Sequence, residues 1–177
     1  MYNILLAGFG GQGILFAGKQ LANAGMQAGK EVSWLPSYGP EMRGGTANCS
    51  VIIDDEPIGS PLVTNPKVFI AMNLPSFTKF IDKVTPGGIV ICDSTLIPEK
   101  SNRTDIKVYE IPASALASDN GMQGMANVII LGYLLKVCDI FPYEFFENAM
   151  IAAIPPKKAK LIDVNKKALS LGYHYEG

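Results

Sequence analysis

Residues 2–13 read YNILLAGFGGQG, and this stretch decides the fold. Residues 2–7 are a short apolar run of the kind that forms a buried strand, and glycines follow at positions 8, 10, 11 and 13. From Ile14 to about Ala28 the apolar residues recur at helical spacing, and Gly29 predicts the end of that helix. A strand, a glycine loop and a helix in this order indicate an α/β protein built on a layered sheet.

The rest of the chain continues the alternation of strands and helices. Further strands are predicted at 31–35, 46–53, 68–72, 88–93 and 107–111, and helices at 75–84, after Pro112, and at 125–137, 142–154 and 156–171. We therefore expect one domain over residues 1–177, a three-layer α/β/α Rossmann-like fold with a mostly parallel sheet. Residues 46–53 and 56–60 could be antiparallel additions near an edge of that sheet.

Composition narrows the classes of partner. Hydrophobic residues make up 48% of the 177-residue chain and charged residues 18%, below the roughly one quarter of ordinary soluble domains. This low charge fits either faces covered by partner chains or a compact domain with buried parallel strands. With a net charge of −1 and no dense basic run, we expect no nucleic-acid partner. No long apolar stretch or signal-like N-terminus occurs, so we expect a cytoplasmic protein without membrane association.

The cysteines and the histidine offer little chemistry. Cys49, Cys92 and Cys138 are widely separated, without a CxxC pair, which predicts neither a metal site nor a cluster site within the chain. Cys92 and Cys138 lie in apolar runs and are expected in the core. The single histidine, His174, is the fourth residue from the end of the sequence and is expected to be solvated, so Cys49 has no base and is interpreted as a packing residue.

The glycine loop fits the pattern G-x-G-x-x-G between a strand and a helix, which is typical of nucleotide-binding folds. It would expose helix-start amides to a phosphate or a carboxylate; alternatively, the glycines only let the helix pack closely on the strand. Ordinary dinucleotide binding is disfavoured, because residues 31–39, EVSWLPSYG, place no acid where the ribose hydroxyls would need one.

Two further segments carry a resemblance to a known family. Residues 36–61, PSYGPEMRGGTANCSVIIDDEPIGSP, follow the glycine loop, and residues 121–135 read GMQGMANVIILGYLL. Together with GFGGQG, and over nearly the whole chain, they resemble the gamma subunit, or catalytic domain, of the 2-oxoacid:ferredoxin (acceptor) oxidoreductases. The glycine loop alone is a weak signal, whereas the second motif at its spacing is specific.

The resemblance implies a multi-subunit enzyme that oxidatively decarboxylates a 2-oxoacid to an acyl-coenzyme A and passes electrons to ferredoxin. It implies that thiamine diphosphate and the iron–sulfur clusters belong to partner subunits, since this chain has neither a thiamine-binding motif nor cluster cysteines. Coenzyme A would be a co-substrate at a shared site. The separate-subunit layout makes 2-oxoglutarate a common substrate, with pyruvate and branched-chain oxoacids left open.

The resemblance and the residue types together suggest one set of cofactor-binding residues, with no catalytic residue assigned. These are Gly8, Gly10, Gly11, Gln12, Gly13, Tyr38, Glu41, Arg43, Gly44, Gly45, Asn48 and Asn127. Arg43 could pair with a phosphate or with a carboxylate of a partner chain, or it could form a local ion pair with Glu41. Asn127 could cap its helix or face the glycine loop, and Asp93 could border a ligand or cap a helix.

Two other functions remain open on the sequence alone. A free-standing Rossmann-type protein would bind a nucleotide such as NAD or FAD, although the missing acid counts against it. A purely structural assembly subunit would use its glycine loops only for close packing.

Overall fold

The computed structural model describes residues 1–37 and 47–177. Its strands are β1 (Tyr2–Gly8), β2 (Glu31–Ser37), β3 (Ala47–Asp54), β4 (Val68–Ala71), β5 (Ile89–Asp93) and β6 (Lys107–Ile111). Its α-helices are α1 (Ile14–Gln27), α2 (Leu74–Phe80), α3 (Ala113–Asp119), α4 (Ala126–Val137), α5 (Tyr143–Ala152) and α6 (Ile162–Tyr173). Two 3-10 helices, Ile81–Lys83 and Pro156–Leu161, follow α2 and precede α6.

The six strands form one sheet in the order β2-β3-β1-β4-β5-β6. The neighbouring pairs β1–β4, β4–β5 and β5–β6 are parallel, whereas β3 runs antiparallel to both β1 and β2. The predicted α/β fold with a mostly parallel Rossmann-like sheet is therefore confirmed.

The prediction of antiparallel additions near an edge is confirmed for residues 46–53 and wrong for residues 56–60. β3 runs antiparallel to both of its neighbours and lies next to the edge strand β2, and its six buried residues reflect its place between β1 and β2. Residues 56–60 form no strand. Pro57 and Pro61 lack the N–H groups that a ladder needs, so this segment does not extend the sheet. It leads instead to Val63, whose N–H donates to Ser50 Oγ at 3.2 Å and fixes the connection against β3.

Each face of the sheet buries its own apolar core. On one face, side chains such as Ile4 and Leu6 of β1 pack with those of α1, α4 and α5. On the other face, Phe69 and its neighbours pack against Phe77 and Phe80 of α2 and the loops around it. Cys92 and Cys138 are buried, as predicted. The helices are unevenly shared between the two faces, but the three-layer arrangement is present.

Left-handed glycines mark both ends of α1. Gly13 precedes the helix with φ +76, and Gly29 follows it with φ +72. Beyond the last turn, Lys30 N–H donates to Gly25 O and Gly29 N–H to Met26 O, each at 3.0 Å, which is a Schellman ending. Gly29 therefore ends the helix as predicted. In the described ranges, 1–37 and 47–177, none of the helices has the length and apolar character that crossing a bilayer requires.

Candidate functional site

Gln12 closes the glycine loop at the carboxyl end of β1. Its Oε1 accepts a hydrogen bond from Phe9 N–H at 2.6 Å, and its Nε2 donates to Met72 O at 2.9 Å. Because Met72 directly follows β4, one side chain joins the ends of two neighbouring parallel strands. Hydrogen bonds of Gln12 therefore hold the loop without a ligand.

Gly8 and Gly13 stand where a side chain would collide with its neighbours. A Cβ on Gly8 would lie 2.5 Å from Gln12 Oε1 and 3.1 Å from Met72 Cβ. A Cβ on Gly13 would lie 2.3 Å from Asn127 Nδ2. These two glycines are needed for close packing, whichever ligand the loop binds.

Asn127 faces the glycine loop from the first turn of α4. Its Nδ2 donates to Gly13 O at 3.2 Å, and the residue is 5% exposed. Its Oδ1 is buried and has no hydrogen-bond partner among the described residues. An unpaired buried carbonyl oxygen of this kind costs free energy unless water or a ligand donates to it. Of the two positions considered from the sequence, the structure therefore places Asn127 against the loop.

A cavity of about 240 Å³, here called the loop cavity, opens beside the glycine loop. It is lined by Gly11, Gln12, Met72, Ser114, Ala117, Ser118, Gln123, Gly124 and Ala126. Open α/β sheets bind their ligands at this carboxyl edge of the parallel strands. None of the nine lining residues is charged, so the cavity offers hydroxyl and amide groups beside small apolar surfaces.

The sequence prediction missed most of the cavity wall. Gly11 and Gln12 line it, whereas Gly10 is exposed in the loop outside the lining set. Ser114, Ala117 and Ser118 were not predicted, although their spacing of three and four residues places them on one face of α3. Gln123 and Gly124 belong to the GMQG segment, which was singled out for its resemblance and not for a role.

Asp93 caps α3 and holds the cavity wall in place. The carboxylate is fully buried at the end of β5 and accepts from Ser114 N–H at 3.1 Å. It also accepts from Thr95 N–H at 3.1 Å. A carboxylate at the start of a helix satisfies amides that have no partner within the helix. Asp93 is thus a capping residue, the second of the two roles considered for it.

Asn48 does not join the loop cavity. It lies on β3 opposite Ala7 and Ser37, on the sheet face that α1 does not cover. There it lines a second cavity of about 410 Å³, together with Lys79 and Lys83. The two cavities share no lining residue. The predicted residues Tyr38, Glu41, Arg43, Gly44 and Gly45 lie outside the described residues.

Cys49 and His174 take the roles expected of them. Cys49 is fully buried under α1, and its Sγ–H donates to Ile14 O at 3.6 Å. Burial raises the pKa of the Cys49 thiol to about 12, so the thiolate nucleophile does not form near neutral pH. His174 is exposed.

The sheet order adds a second argument against ordinary dinucleotide binding. In the doubly wound fold, the strand that follows the first helix lies beside β1 and carries the ribose-binding acid. Here β3 separates β2 from β1, and β2 ends in Ser37 at the edge of the sheet. β2 therefore places no acidic residue beside the glycine loop.

The protein is thus an α/β domain with a Rossmann-like sheet and a small uncharged cavity beside a glycine loop. Residues 3–175 match the family model described as pyruvate ferredoxin/flavodoxin oxidoreductase. The chain belongs to this family, and the resemblance drawn from its motifs is confirmed.

Two curated relatives differ in how much of their length the chain covers. Ketoisovalerate oxidoreductase subunit VorA of Methanothermobacter thermautotrophicus is 38% identical over 96% of this chain. The chain spans only 35% of VorA, about a third of its length. 2-Oxoglutarate synthase subunit KorC of Methanocaldococcus jannaschii is 35% identical over 96% of this chain and 91% of KorC.

Two solved structures share the fold over nearly all of this chain. The gamma subunit of keto/oxoacid ferredoxin oxidoreductase from Geobacter sulfurreducens superposes with a TM-score of 0.84 and 26% identity, over 98% of this chain and 96% of that one. 2-Oxoglutarate:ferredoxin oxidoreductase from Magnetococcus marinus, solved with 2-oxoglutarate, coenzyme A and succinyl-CoA, superposes with a TM-score of 0.85 and 25% identity, over 97% of this chain and 30% of that one.

Proposed function

We propose that this chain is the gamma subunit of a multi-subunit 2-oxoacid:ferredoxin oxidoreductase. The complex would oxidatively decarboxylate a 2-oxoacid to an acyl-coenzyme A and pass the electrons to ferredoxin. Residues 1–177 would act as one domain in the cytoplasm, contributing part of the coenzyme A site. Thiamine diphosphate and the iron–sulfur clusters would be held by the partner subunits.

The loop cavity is the observation that carries the coenzyme A assignment. Its volume of about 240 Å³ is below the roughly 300–1,000 Å³ of ordinary ligand pockets, so it suits part of a large ligand. Hydroxyl and amide groups of Ser118 and Gln123 can hydrogen-bond an amide-bearing arm, while Ala117 and Met72 can contact its methylene groups. The residues present therefore fit the amide arm of coenzyme A.

The phosphates of coenzyme A need cations that the loop cavity does not supply. We assign them to another surface of the assembled complex, with Arg43 as this chain's candidate contribution, since a guanidinium pairs well with phosphate. In this proposal the chain forms one wall of a shared site and positions the arm of the co-substrate. The role of Gln12 is to hold the loop that borders that wall.

2-Oxoglutarate is the first substrate to test. KorC is similar over nearly its whole length, and the solved neighbour from Magnetococcus marinus contains 2-oxoglutarate. Pyruvate and ketoisovalerate are the matched comparators, because VorA and the family description carry those names.

The experiment uses the complex reconstituted from this chain and the thiamine-binding and cluster-bearing subunits of the same organism. Ferredoxin reduction is measured with each 2-oxoacid while coenzyme A is varied. Ser118→Leu places a bulky side chain at the exposed rim of the loop cavity. We expect the KM for coenzyme A to rise about tenfold, the equivalent of roughly 1.4 kcal/mol, with the KM for the 2-oxoacid unchanged.

Asp119→Leu is the matched control, because it adds the same side chain one residue along α3 and outside the cavity lining. It should leave the KM for coenzyme A within about twofold, well below the tenfold effect that corresponds to 1.4 kcal/mol. A reconstituted complex that turns over none of the three oxoacids contradicts the proposed function. An active complex in which Ser118→Leu and Asp119→Leu behave alike removes coenzyme A from the loop cavity.

A further inference from the structure

Residues 155–167, PPKKAKLIDVNKK, form a surface here called the lysine segment. It carries five of the fifteen lysines and arginines of the chain and only one of the sixteen acids, Asp163. The remaining ten basic and fifteen acidic residues give the rest of the molecule a net charge of −5, against +4 for the segment. The sequence shows no dense basic run, because Leu161 to Asn165 separate the first three lysines from the last two.

The fold brings the two groups of lysines together. The 3-10 helix Pro156–Leu161 carries Lys157, Lys158 and Lys160, and α6 carries Lys166 and Lys167. Lys160 and Lys167 line the same cavity, of about 540 Å³, with Asp163 between them. Lys167 also lines a neighbouring open groove with Lys166 and Glu147. Lys160, Lys166 and Lys167 therefore lie close together on one surface, with Asp163 among them and Glu147 beside them.

The lysines of this surface are exposed and form no ion pair among those found. All five lysines are exposed, and none of them appears in the ion pairs found for the described residues. The 3-10 helix has no buried residue, and Pro155, Pro156 and Ala159 are exposed among its lysines. Five exposed lysines on one surface of an otherwise acidic chain produce a local positive potential, which attracts a negatively charged partner.

We propose that the lysine segment docks onto an acidic face of a partner subunit; this rests on the proposed function. Opposite charges accelerate association and fix orientation even where each exposed pair stabilises little. The −5 charge on the remainder of the chain would repel the same acidic face, so only one orientation of docking is favoured. The segment thus sets which side of this chain meets its partner.

The chemistry favours an acidic protein over a nucleic acid. The segment contains no arginine and no aromatic residue, so it lacks both the guanidinium forks that suit phosphate and the rings that stack on bases. A duplex carries about one charge per 1.7 Å and would extend past the segment onto the acidic remainder of the chain. An acidic patch on a protein is limited in extent and avoids that repulsion.

The test compares two triple variants that have the same net charge. Lys157→Glu, Lys158→Glu and Lys160→Glu reverse half of the surface, and Lys19→Glu, Lys67→Glu and Lys107→Glu are the control at exposed lysines elsewhere. Association with the thiamine-binding and cluster-bearing subunits is measured at low and high ionic strength. We expect the first variant to weaken association about tenfold or more at low ionic strength, and the control about twofold or less.

A second measurement separates this proposal from the proposed function. Binding of poly-L-glutamate and of a DNA duplex to the isolated chain is measured at low ionic strength. Loss of poly-L-glutamate binding only in the segment variant would support the lysine segment as a binding surface for acidic chains. Failure of the chain to join any complex would contradict the proposed function and would leave that result intact. Equal assembly of wild type and both variants, equal losses in the two variants, or tighter binding of DNA than of poly-L-glutamate would overturn the docking proposal.

Discussion

Two pairs of glycines allow close approach in different ways. Where α4 crosses α6, a Cβ on Gly132 would lie 2.0 Å from Leu169 O, and one on Gly172 would lie 1.8 Å from Ile129 O. At the glycine loop, the nearest atoms to a Cβ on Gly8 or Gly13 belong instead to the side chains of Gln12 and Asn127. The helix crossing is backbone against backbone, whereas the loop is backbone against polar side chains.

The two regions should differ in how well they tolerate an added methyl group. Backbone atoms in two helices cannot move without shifting whole elements, so the crossing tolerates no added atom. The polar ends of Gln12 and Asn127 can rotate, and each already bonds a backbone group of the loop or of its neighbour. A substitution in the loop should therefore cost less than one at the helix crossing.

The largest expected effect is at the helix crossing. Gly172→Ala places a methyl group within 1.8 Å of Ile129 O, so α4 and α6 must separate. We expect the free energy of unfolding to fall by about 3 kcal/mol or more, because overpacking outweighs the roughly 1 kcal/mol that alanine gains over glycine in a helix. Urea denaturation of the purified chain measures this change.

Gly25→Ala in α1 is the control for the crossing. Its Cβ would lie 2.8 Å from a methyl group of Val32, a side chain at the half-buried edge strand, and the gain in helix propensity is the same. We expect a change within about 1 kcal/mol. If Gly172→Ala cost no more than Gly25→Ala, the distinction between backbone and side-chain contacts would fail.

The second prediction concerns Gly13 and Asn127. Gly13→Ala should lower the free energy of unfolding by about 2–3 kcal/mol, from a positive φ of +76 and the collision with Asn127 Nδ2. Asn127→Ala should cost about 1 kcal/mol or less, because removal of the unpaired Oδ1 offsets part of the lost hydrogen bond to Gly13 O. In the double variant the collision is absent, so its cost should be less than the sum by about 1 kcal/mol.

A double-mutant cycle in urea measures that coupling. Gly13→Ala with Cys138→Ala serves as the control pair, because Cys138 follows the far end of α4 and has no contact with Gly13 among those found. The costs of this pair should add. If the costs of Gly13→Ala and Asn127→Ala also add, the added Cβ does not collide with the Asn127 side chain, and the predicted coupling is wrong.

Sequence reasoning predicted the local structure around the glycine loop but not the order of the strands in the sheet. The strand, glycine loop and helix were predicted within a residue or two, because apolar periodicity and Gly29 mark those boundaries locally. The insertion of β3 between β1 and β2 was not predicted, since pairing of strands depends on contacts between distant residues. For the same reason, Asn48 was placed with the loop although its side chain lies on the other face of the sheet.

The cavity wall and the helix crossing were not predicted, because both depend on how helices pack against distant parts of the chain. Ser114 and Ser118 resemble ordinary surface serines of a short helix until α3 is placed beside the loop. Gly132 and Gly172 each interrupt a helical pattern, a position that costs about 1 kcal/mol relative to alanine and usually has a packing cause. Only the crossing of α4 and α6 reveals that cause.

The smallest expected effect on stability is at Gly11, and it is the most informative about function. Gly11→Ala should cost about 1 kcal/mol, because φ is +91 and nothing lies within 4 Å of the added Cβ. Gly121→Ala is its match, with φ +66 and equally open space, but it lines the cavity beside the lysine segment. Both variants should unfold at similar urea concentrations, whereas only Gly11→Ala should raise the KM for coenzyme A in the reconstituted complex. Equal KM values would show that the open half of the glycine loop does not border the co-substrate.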